Sequence, residues 1–232
     1  MSRIILTDIH GCYKTMLALI DKLPPGIPLT FAGDLIDRGP DSKSVVEYVK
    51  ANKHDCVLGN HEVMMVQELE FDPDGAYIRP SYMNGIWLMN GGDKCLDSYQ
   101  NDNGDMDDIT LRRHQRLMKT LPYYLEYPEL KNDKGQHLLV THTTAAHVWN
   151  DEEVSKDSPR FQDFVTWERD PFPAKIEGIY NVYGHTPQQY KATVKEHFAC
   201  IDTGGYFKRE NYGKLTALQF PEMIVYEQKN IE

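Results

Sequence analysis

The chain has 232 residues, 41% of them hydrophobic and 26% charged, with a formal net charge of −10. That balance is expected of a soluble globular protein long enough to bury a real core. The acidic excess, with no Lys/Arg stripe, argues against a general nucleic-acid binder, and no run approaches the ~18 apolar residues that a membrane span needs.

Ile4-Ile5-Leu6-Thr7 enters a strand directly, with no apolar stretch of signal-peptide length before it. It ends at Asp8-Ile9-His10-Gly11. The spacing of Met16, Leu17, Ile20 and Leu23 predicts a helix over 13–23, stopped by Pro24-Pro25-Gly26. Residues 29–32 form a second apolar run, leading into Gly33-Asp34-Leu35-Ile36-Asp37-Arg38-Gly39, and a helix is expected over 42–51. Cys56-Val57-Leu58 runs into Gly59-Asn60-His61-Glu62, with a helix expected over 63–69. Strand, polar cluster and helix thus recur in a βαβαβ rhythm, which predicts a sheet with helices outside it. The clusters would share one sheet edge, where neighbouring strands lie ~4.8 Å apart and their side chains can share a metal.

Residues 71–89 are rich in aromatics, Gly, Pro and Asn, and Trp87-Leu88-Met89-Asn90-Gly91-Gly92 is a distinctive turn that either frames a pocket or simply packs. The acidic stretch 101–108 is no EF-hand: its first and twelfth positions would be Tyr99 and Thr110, which supply no carboxylate. A helix is expected over 109–121. We read residues 70–130 as a helical or irregular insertion capping the sheet edge, within one domain spanning 1–232. Tyr77, Tyr82 and Tyr99 could line a groove, but packing is the favoured role. Strand character returns at 137–141, ending at His142, and segment 149–175 is mixed and polar around Trp167-Glu168-Arg169-Asp170. Further strands at 179–183 and 198–201 end at Gly184-His185-Thr186-Pro187 and Asp202-Thr203-Gly204-Gly205, and a hairpin is expected over 215–226. The second half should form a mostly β layer packed on the first. The scattered cysteines Cys12, Cys56, Cys95 and Cys200 contain no CxxC pair and read as reduced thiols, so a cytoplasmic location is expected.

Asp8, His10, Asp34, Asn60, His61, His142 and His185 offer two carboxylates, one amide oxygen and four imidazoles at strand ends. Mixed oxygen and nitrogen donors suit Mn, Fe or Zn. There are more donors than one tetrahedral site uses, and a carboxylate can bridge, so a dinuclear centre is the natural reading. Two metals ~3.5–4 Å apart activate a water and clamp an in-line phosphoryl displacement. Arg38 offers a planar fork for phosphate oxygens, and Asp37 suits the orienting of a histidine.

The set Asp8-x-His10-Gly11, Gly33-Asp34-x-x-Asp37-Arg38-Gly39, Gly59-Asn60-His61-Glu62, His142 and Gly184-His185 resembles the calcineurin-like metallophosphoesterase superfamily. Within it, the chain resembles the serine/threonine protein phosphatases of the compact bacterial and phage branch that includes phage lambda phosphatase. The resemblance implies a four-layer α-β-β-α fold, two mixed β-sheets flanked by helices. It implies two divalent ions, Mn2+ foremost with Fe, Zn, Ni or Co as alternatives. Asp8 and His10 would bind the first, Asp34 would bridge, and Asn60, His142 and His185 would bind the second. His61 paired with Asp37 would be the general acid, and Arg38 and Arg169 would hold phosphate. The implied activity is phosphomonoester hydrolysis by a metal-activated water, on phosphoserine or phosphothreonine in a protein or peptide. The alternatives are a symmetrical bis(5'-nucleosyl)-tetraphosphatase, a small-molecule phosphatase and, in another class, a non-catalytic interaction protein that kept the fold. Thr7 stands where the family usually has Gly and is expected to matter little, whereas Thr143 is placed to alter the surroundings of His142 or the substrate wall. Asp202 reads equally as support for the metal ligands or as a turn residue. His54, His114, His137, His147 and His197 are expected as ordinary core or surface residues, and Cys12 as a buried structural thiol.

Overall fold

A computed structural model describes residues 1–78 and 85–232. The first sheet contains β1 (Arg3–Leu6), β2 (Leu29–Phe31) and β3 (Asp55–Cys56), all parallel. Helices α1 (Tyr13–Ile20) and α2 (Ser42–Ala51) make the crossovers, and α3 (Asn60–Glu68) follows β3. Asp41 caps α2 by accepting from the Ser44 amide, and the β-branched Val45, Val46 and Val49 are buried on its inner face. A kinked π-helical turn at Leu88–Gly92, broken at Gly91 (φ 101°), leads to α4 (Asp93–Asp97) and α5 (Asp108–Met118).

The second sheet has the order β4-β5-β6-β8-β7, with β4 (Tyr124–Lys131), β5 (His137–Thr141), β6 (Ile179–Tyr183), β7 (Thr193–Val194) and β8 (Phe198–Cys200). Helix α6 (Pro159–Trp167) lies between β5 and β6 in sequence. The last strands, β9 (Lys214–Phe220) and β10 (Ile224–Lys229), return to the first sheet, where β9 pairs antiparallel with β1.

Alternation along the strands builds the layers. Ile4, Leu6 and Phe31 pack with the inner faces of α1, α2 and α3. Ile5, Leu218 and Phe220 point the other way and meet Leu138, Val140, Tyr180 and Val182 of the second sheet. On the outer face of that sheet, Leu139 and Ile179 pack with Phe161 and Val165 of α6. The result is the expected sandwich of two mixed sheets between helices.

Several local expectations change. The chain does not divide into one sheet per half, because the C-terminal hairpin completes the first sheet. Residues 124–130, placed at the end of the capping insertion, belong to strand β4, which pairs with β5. The polar segment 149–175 contains α6, whose start is set by Ser158 accepting from the Phe161 amide and by Pro159 in the first turn. Tyr99 is core: its hydroxyl is 2.6 Å from His114 Nδ1. Tyr77 packs on the core from its edge, and Tyr82 lies outside the described residues. The four cysteines are buried free thiols, and burial pushes the Cys12 thiol up to about 12. Among the described residues no helix is long and apolar enough to cross a membrane.

Candidate metal centre

The C-terminal ends of β1, β2, β3, β5 and β6 lie at one edge of the sandwich and carry the polar clusters there. Six non-glycine residues at these ends hold positive φ: Asp8 (50°), His10 (46°), Asp34 (54°), Asp37 (73°), Arg38 (67°) and His185 (67°). Left-handed backbone at non-glycine residues is costly and collects where surrounding structure enforces it, often at functional sites. The adjoining glycines are required by space. A Cβ on Gly59 would come within 2.2 Å of Asp34 Oδ1, and one on Gly184 within 2.1 Å of Asp8 Oδ2.

Two groups of three buried residues place one potential ligand atom each within 4.8 Å of one another: His10, Asp34 and His61, and Asp34, His142 and His185. Asp34 belongs to both. Asp8 stands beside the first group, its Oδ1 3.8 Å from His10 Nε2. Asn60 joins the second, its Oδ1 3.0 Å from both His142 Nε2 and His185 Nδ1. The structure therefore brings together all six residues expected to bind metal, and adds His61 to the first group.

Backbone carbonyls orient the imidazoles. His10 Nδ1 is 2.8 Å from the Ile36 carbonyl, and His142 Nδ1 is 2.8 Å from that of Ala32. Each Nδ1 therefore donates, and each Nε2 is turned to the site. Burial, then the Arg38 guanidinium, hold the His10 pKa well below the usual histidine value. Its Nε2 accordingly accepts from Arg38 Nη1 at 2.9 Å, a lone pair aimed at the cavity. Burial and the charge on His142 likewise lower His185 to about 3. Burial opposes charge on Asp34 and His142 alike, yet each stabilises the other's charged form. His142 is raised to about 10, while Asp34, helped by His61, stays well below the carboxylate range. The Nε2 atoms of His61 and His185 are buried without a hydrogen-bond partner among the described residues. Buried carboxylates, the His10 lone pair, the orphaned His61 Nε2, and His185 Nδ1 beside Asn60 and His142 are the donor set that two divalent cations would satisfy.

Asn60 and His61 sit at the N-terminus of α3, and Asp34 Oδ1 accepts from the His61 amide at 3.1 Å. Glu62, buried one residue further on, accepts from the amides of Asp34, Leu35 and Gly59 at 2.8, 2.8 and 2.9 Å. Burial, then the Asp34 charge, push its carboxyl up to about 7 against those donors.

A second chain of contacts runs behind the first group. His61 Nδ1 donates to Asp37 Oδ2 at 2.5 Å, and Trp87 Nε1 lies 3.0 Å from both Asp37 oxygens. Burial disfavours charge on His61, but Asp34 and Asp37 overcome it and raise its pKa above the ordinary value. Trp87 thus holds Asp37, and the Gly91 carbonyl accepts from the Arg38 amide at 3.2 Å. Trp87→Phe, which keeps the ring and removes the N–H, is expected to lower kcat about ten-fold with a much smaller change in KM, since one charge-assisted hydrogen bond is lost. Steady-state kinetics on an aryl phosphate checks this; an unchanged kcat would reduce Trp87 to packing.

The cavity over these groups has a volume of about 360 Å³ and is lined by Asp34, Asn60, Arg38, Arg169 and His185, together with Arg209, Tyr206 and Tyr212. Arg169 is exposed at its mouth. Arg209 and the tyrosines come from the segment between β8 and β9, where sequence reading saw only the turn at 202–205. The spacing of Gly204 and Gly213, joined by a 3.0 Å amide–carbonyl bond, was the available signal of a closed loop. Thr7 matters more than expected: its hydroxyl donates to Asp8 Oδ2 at 2.6 Å. Thr143 turns away from the site, its hydroxyl donating to the Phe164 carbonyl at 2.8 Å. Asp202 acts as the turn residue: Oδ1 accepts from the Gly204 amide at 2.7 Å, and burial and the Asp8 charge raise its pKa well above the usual range.

Residues 1–189 match the calcineurin-like phosphoesterases. The chain belongs to that family. With the clustered ligands, this makes it a metal-dependent phosphohydrolase. This phosphoesterase is 32% identical over 94% of its length to 88% of an asymmetrical bis(5'-nucleosyl)-tetraphosphatase PrpE of Bacillus velezensis. It is 27% identical over 88% of its length to 86% of serine/threonine-protein phosphatase 1 of Salmonella typhimurium. Among solved structures, a putative diadenosine tetraphosphatase superposes on all of the phosphoesterase and 94% of its own chain, with TM-score 0.65 at 18% identity, a likeness of fold. The narrower expectation of a lambda-type protein phosphatase is therefore not the reading favoured by these relatives.

Proposed function

We propose that the phosphoesterase hydrolyses dinucleoside tetraphosphates, with Asp8, His10, Asp34, Asn60, His142 and His185 holding two divalent ions, Mn2+ first among those to test. The observation that carries this reading is the lining of the metal cavity by three arginines, Arg38, Arg169 and Arg209, in a chain of net charge −10. A phosphomonoester presents one compact dianion, whereas a tetraphosphate presents charge along its length and can engage separated guanidinium groups. The near full-length similarity to a protein named as an asymmetrical tetraphosphatase supports the same substrate.

Two divalent ions supply, when bound, a water of lowered pKa and charge neutralisation across the reacting phosphate. Arg38 and Arg169 hold the oxygens of the attacked phosphoryl group, and Arg209 holds a neighbouring phosphate. His61, its Nδ1–H fixed by Asp37, gives the Nε2 proton to the departing oxygen. Water adds to phosphorus, one P–O–P bond breaks, and two nucleotides leave.

Incubation with diadenosine tetraphosphate and Mn2+ is expected to release AMP and ATP in equal amounts, resolved by ion-exchange chromatography. ADP as the sole product would favour symmetrical cleavage. Turnover of phosphoserine peptides, with none of the dinucleotide, would replace the proposal by the protein phosphatase reading that the Salmonella relative keeps open.

A further inference from the structure

A cavity of about 620 Å³ opens beside the metal cavity, and Thr186, the residue after His185, lines both. The segment leaving α6 divides them: Arg169 lines the metal cavity, while its neighbours Glu168 and Asp170 line the other. The two spaces have opposite chemistry. The first is surrounded by arginines. The second carries Glu168, Asp170 and Glu196 against Lys195 and His197, with Asp170 2.8 Å from His147 and Glu196 2.8 Å from Lys134, around the aromatic faces of Tyr183 and Phe198. Phe172, 88% exposed, stands on its wall.

This second cavity is built and held open by its own contacts. The Phe172 amide donates to Asp170 Oδ1 at 2.8 Å, and His197 Nε2 lies 3.1 Å from the Pro173 carbonyl, tying the 170–173 loop to the start of β8. Tyr183 and Phe198 stack at 5.9 Å with 21° between their planes. Its volume falls in the ~300–1,000 Å³ range of small-molecule sites. Carboxylates repel phosphates, so the ligand's phosphates belong in the arginine-lined space. The larger one suits an uncharged, flat group rich in N–H and O–H donors.

The geometry points to this cavity as a nucleoside pocket. A purine stacks on Phe172, and base amino and ribose hydroxyl groups donate to Glu168 and Asp170. The inference deepens the tetraphosphatase reading and rests on it for the identity of the substrate. Because the pocket begins one residue beyond His185, the phosphate attached to the bound nucleoside is the one placed among the metal ligands. Hydrolysis there breaks the bond between the first and second phosphates, leaving a nucleoside monophosphate and a nucleoside triphosphate. A pocket set further away would have left two diphosphates.

Two measurements test this. Adenosine titrated into the wild-type protein by calorimetry is expected to bind, Phe172→Ala to weaken that binding about ten-fold, and Phe172→Trp to restore it, on the scale of base–aromatic stacking. In Phe172→Ala, kcat/KM on diadenosine tetraphosphate relative to p-nitrophenyl phosphate is expected to fall about ten-fold. Adenosine that fails to bind, or binds wild type and Phe172→Ala alike, overturns the pocket whatever the substrate. Displacement of adenosine by a lysine-rich phosphopeptide but not by AMP also overturns it, giving the cavity to a peptide. Phe172-dependent adenosine binding without turnover of the dinucleotide upholds the pocket and overturns the substrate reading alone.

Discussion

His61→Asn is expected to lose about 10²–10⁴-fold in kcat on alkyl phosphates such as a phosphoserine peptide, the usual share of general acid catalysis. It should lose far less on p-nitrophenyl phosphate. The cause is the leaving group: a serine alkoxide departs only if protonated, whereas a nitrophenolate hardly needs a proton. A tetraphosphate falls on the easier side, because the departing oxygen belongs to a phosphate, whose last proton has a pKa of ~6. The same variant decides between two roles for His61. Its Nε2 lies 3.9 Å from Asp34 Oδ2 and groups with His10, so it could serve as a metal ligand as well as an acid. An acid predicts a loss graded with leaving-group pKa at undiminished metal content, measured by plasma mass spectrometry. Metal depletion with an equal loss on every substrate would make His61 a ligand.

Glu62→Gln is expected to lower unfolding free energy by about 2–4 kcal/mol, since an amide places an NH2 against a buried N–H and strands at least one donor. Glu62 accepts from three amides that belong to two segments, the Asp34-Leu35 turn after β2 and Gly59 before α3. Its loss should therefore displace Asp34, the proposed bridge, relative to Asn60. Urea denaturation gives the stability term, and metal content gives the site term. A stability loss below about 0.5 kcal/mol, the range of surface substitutions, would show that water replaces the carboxylate without cost.

Residues with local signatures were legible. A short apolar run followed by Asp, Asn or His and then a helical period marks a strand end on its own, so Asp8, Asp34, Asn60, His142 and His185 could be placed at one edge from pattern alone. Helix α3 was shifted, because Asn60 and His61 read as loop chemistry although they form its first turn. What failed to show depends on partners distant in sequence. The hairpin at 214–229 alternates in the same way whichever sheet receives it, and only the pairing of Ile5 with Leu218 decides. Trp87 is 50 residues from the Asp37 it holds. Tyr206 and Arg209 reach the cavity through a loop with no periodicity, although Arg38 lies 4.6 Å over the Tyr206 ring.

The return of β9 to β1 has a consequence for biosynthesis. Arg3 pairs with Phe220 and Leu6 with Ala217, so β1 leaves the ribosome long before the strand that pairs with it. By the time His185 emerges, every proposed metal ligand has been made, yet one edge of β1 still has its amides and carbonyls open. Such an edge invites pairing with another chain. Metal added to ribosome-bound chains in which His185 but not residues 214–220 has cleared the exit tunnel should therefore meet ligands on an unfinished sheet, and stable capture should begin only when residues 214–220 have cleared it as well.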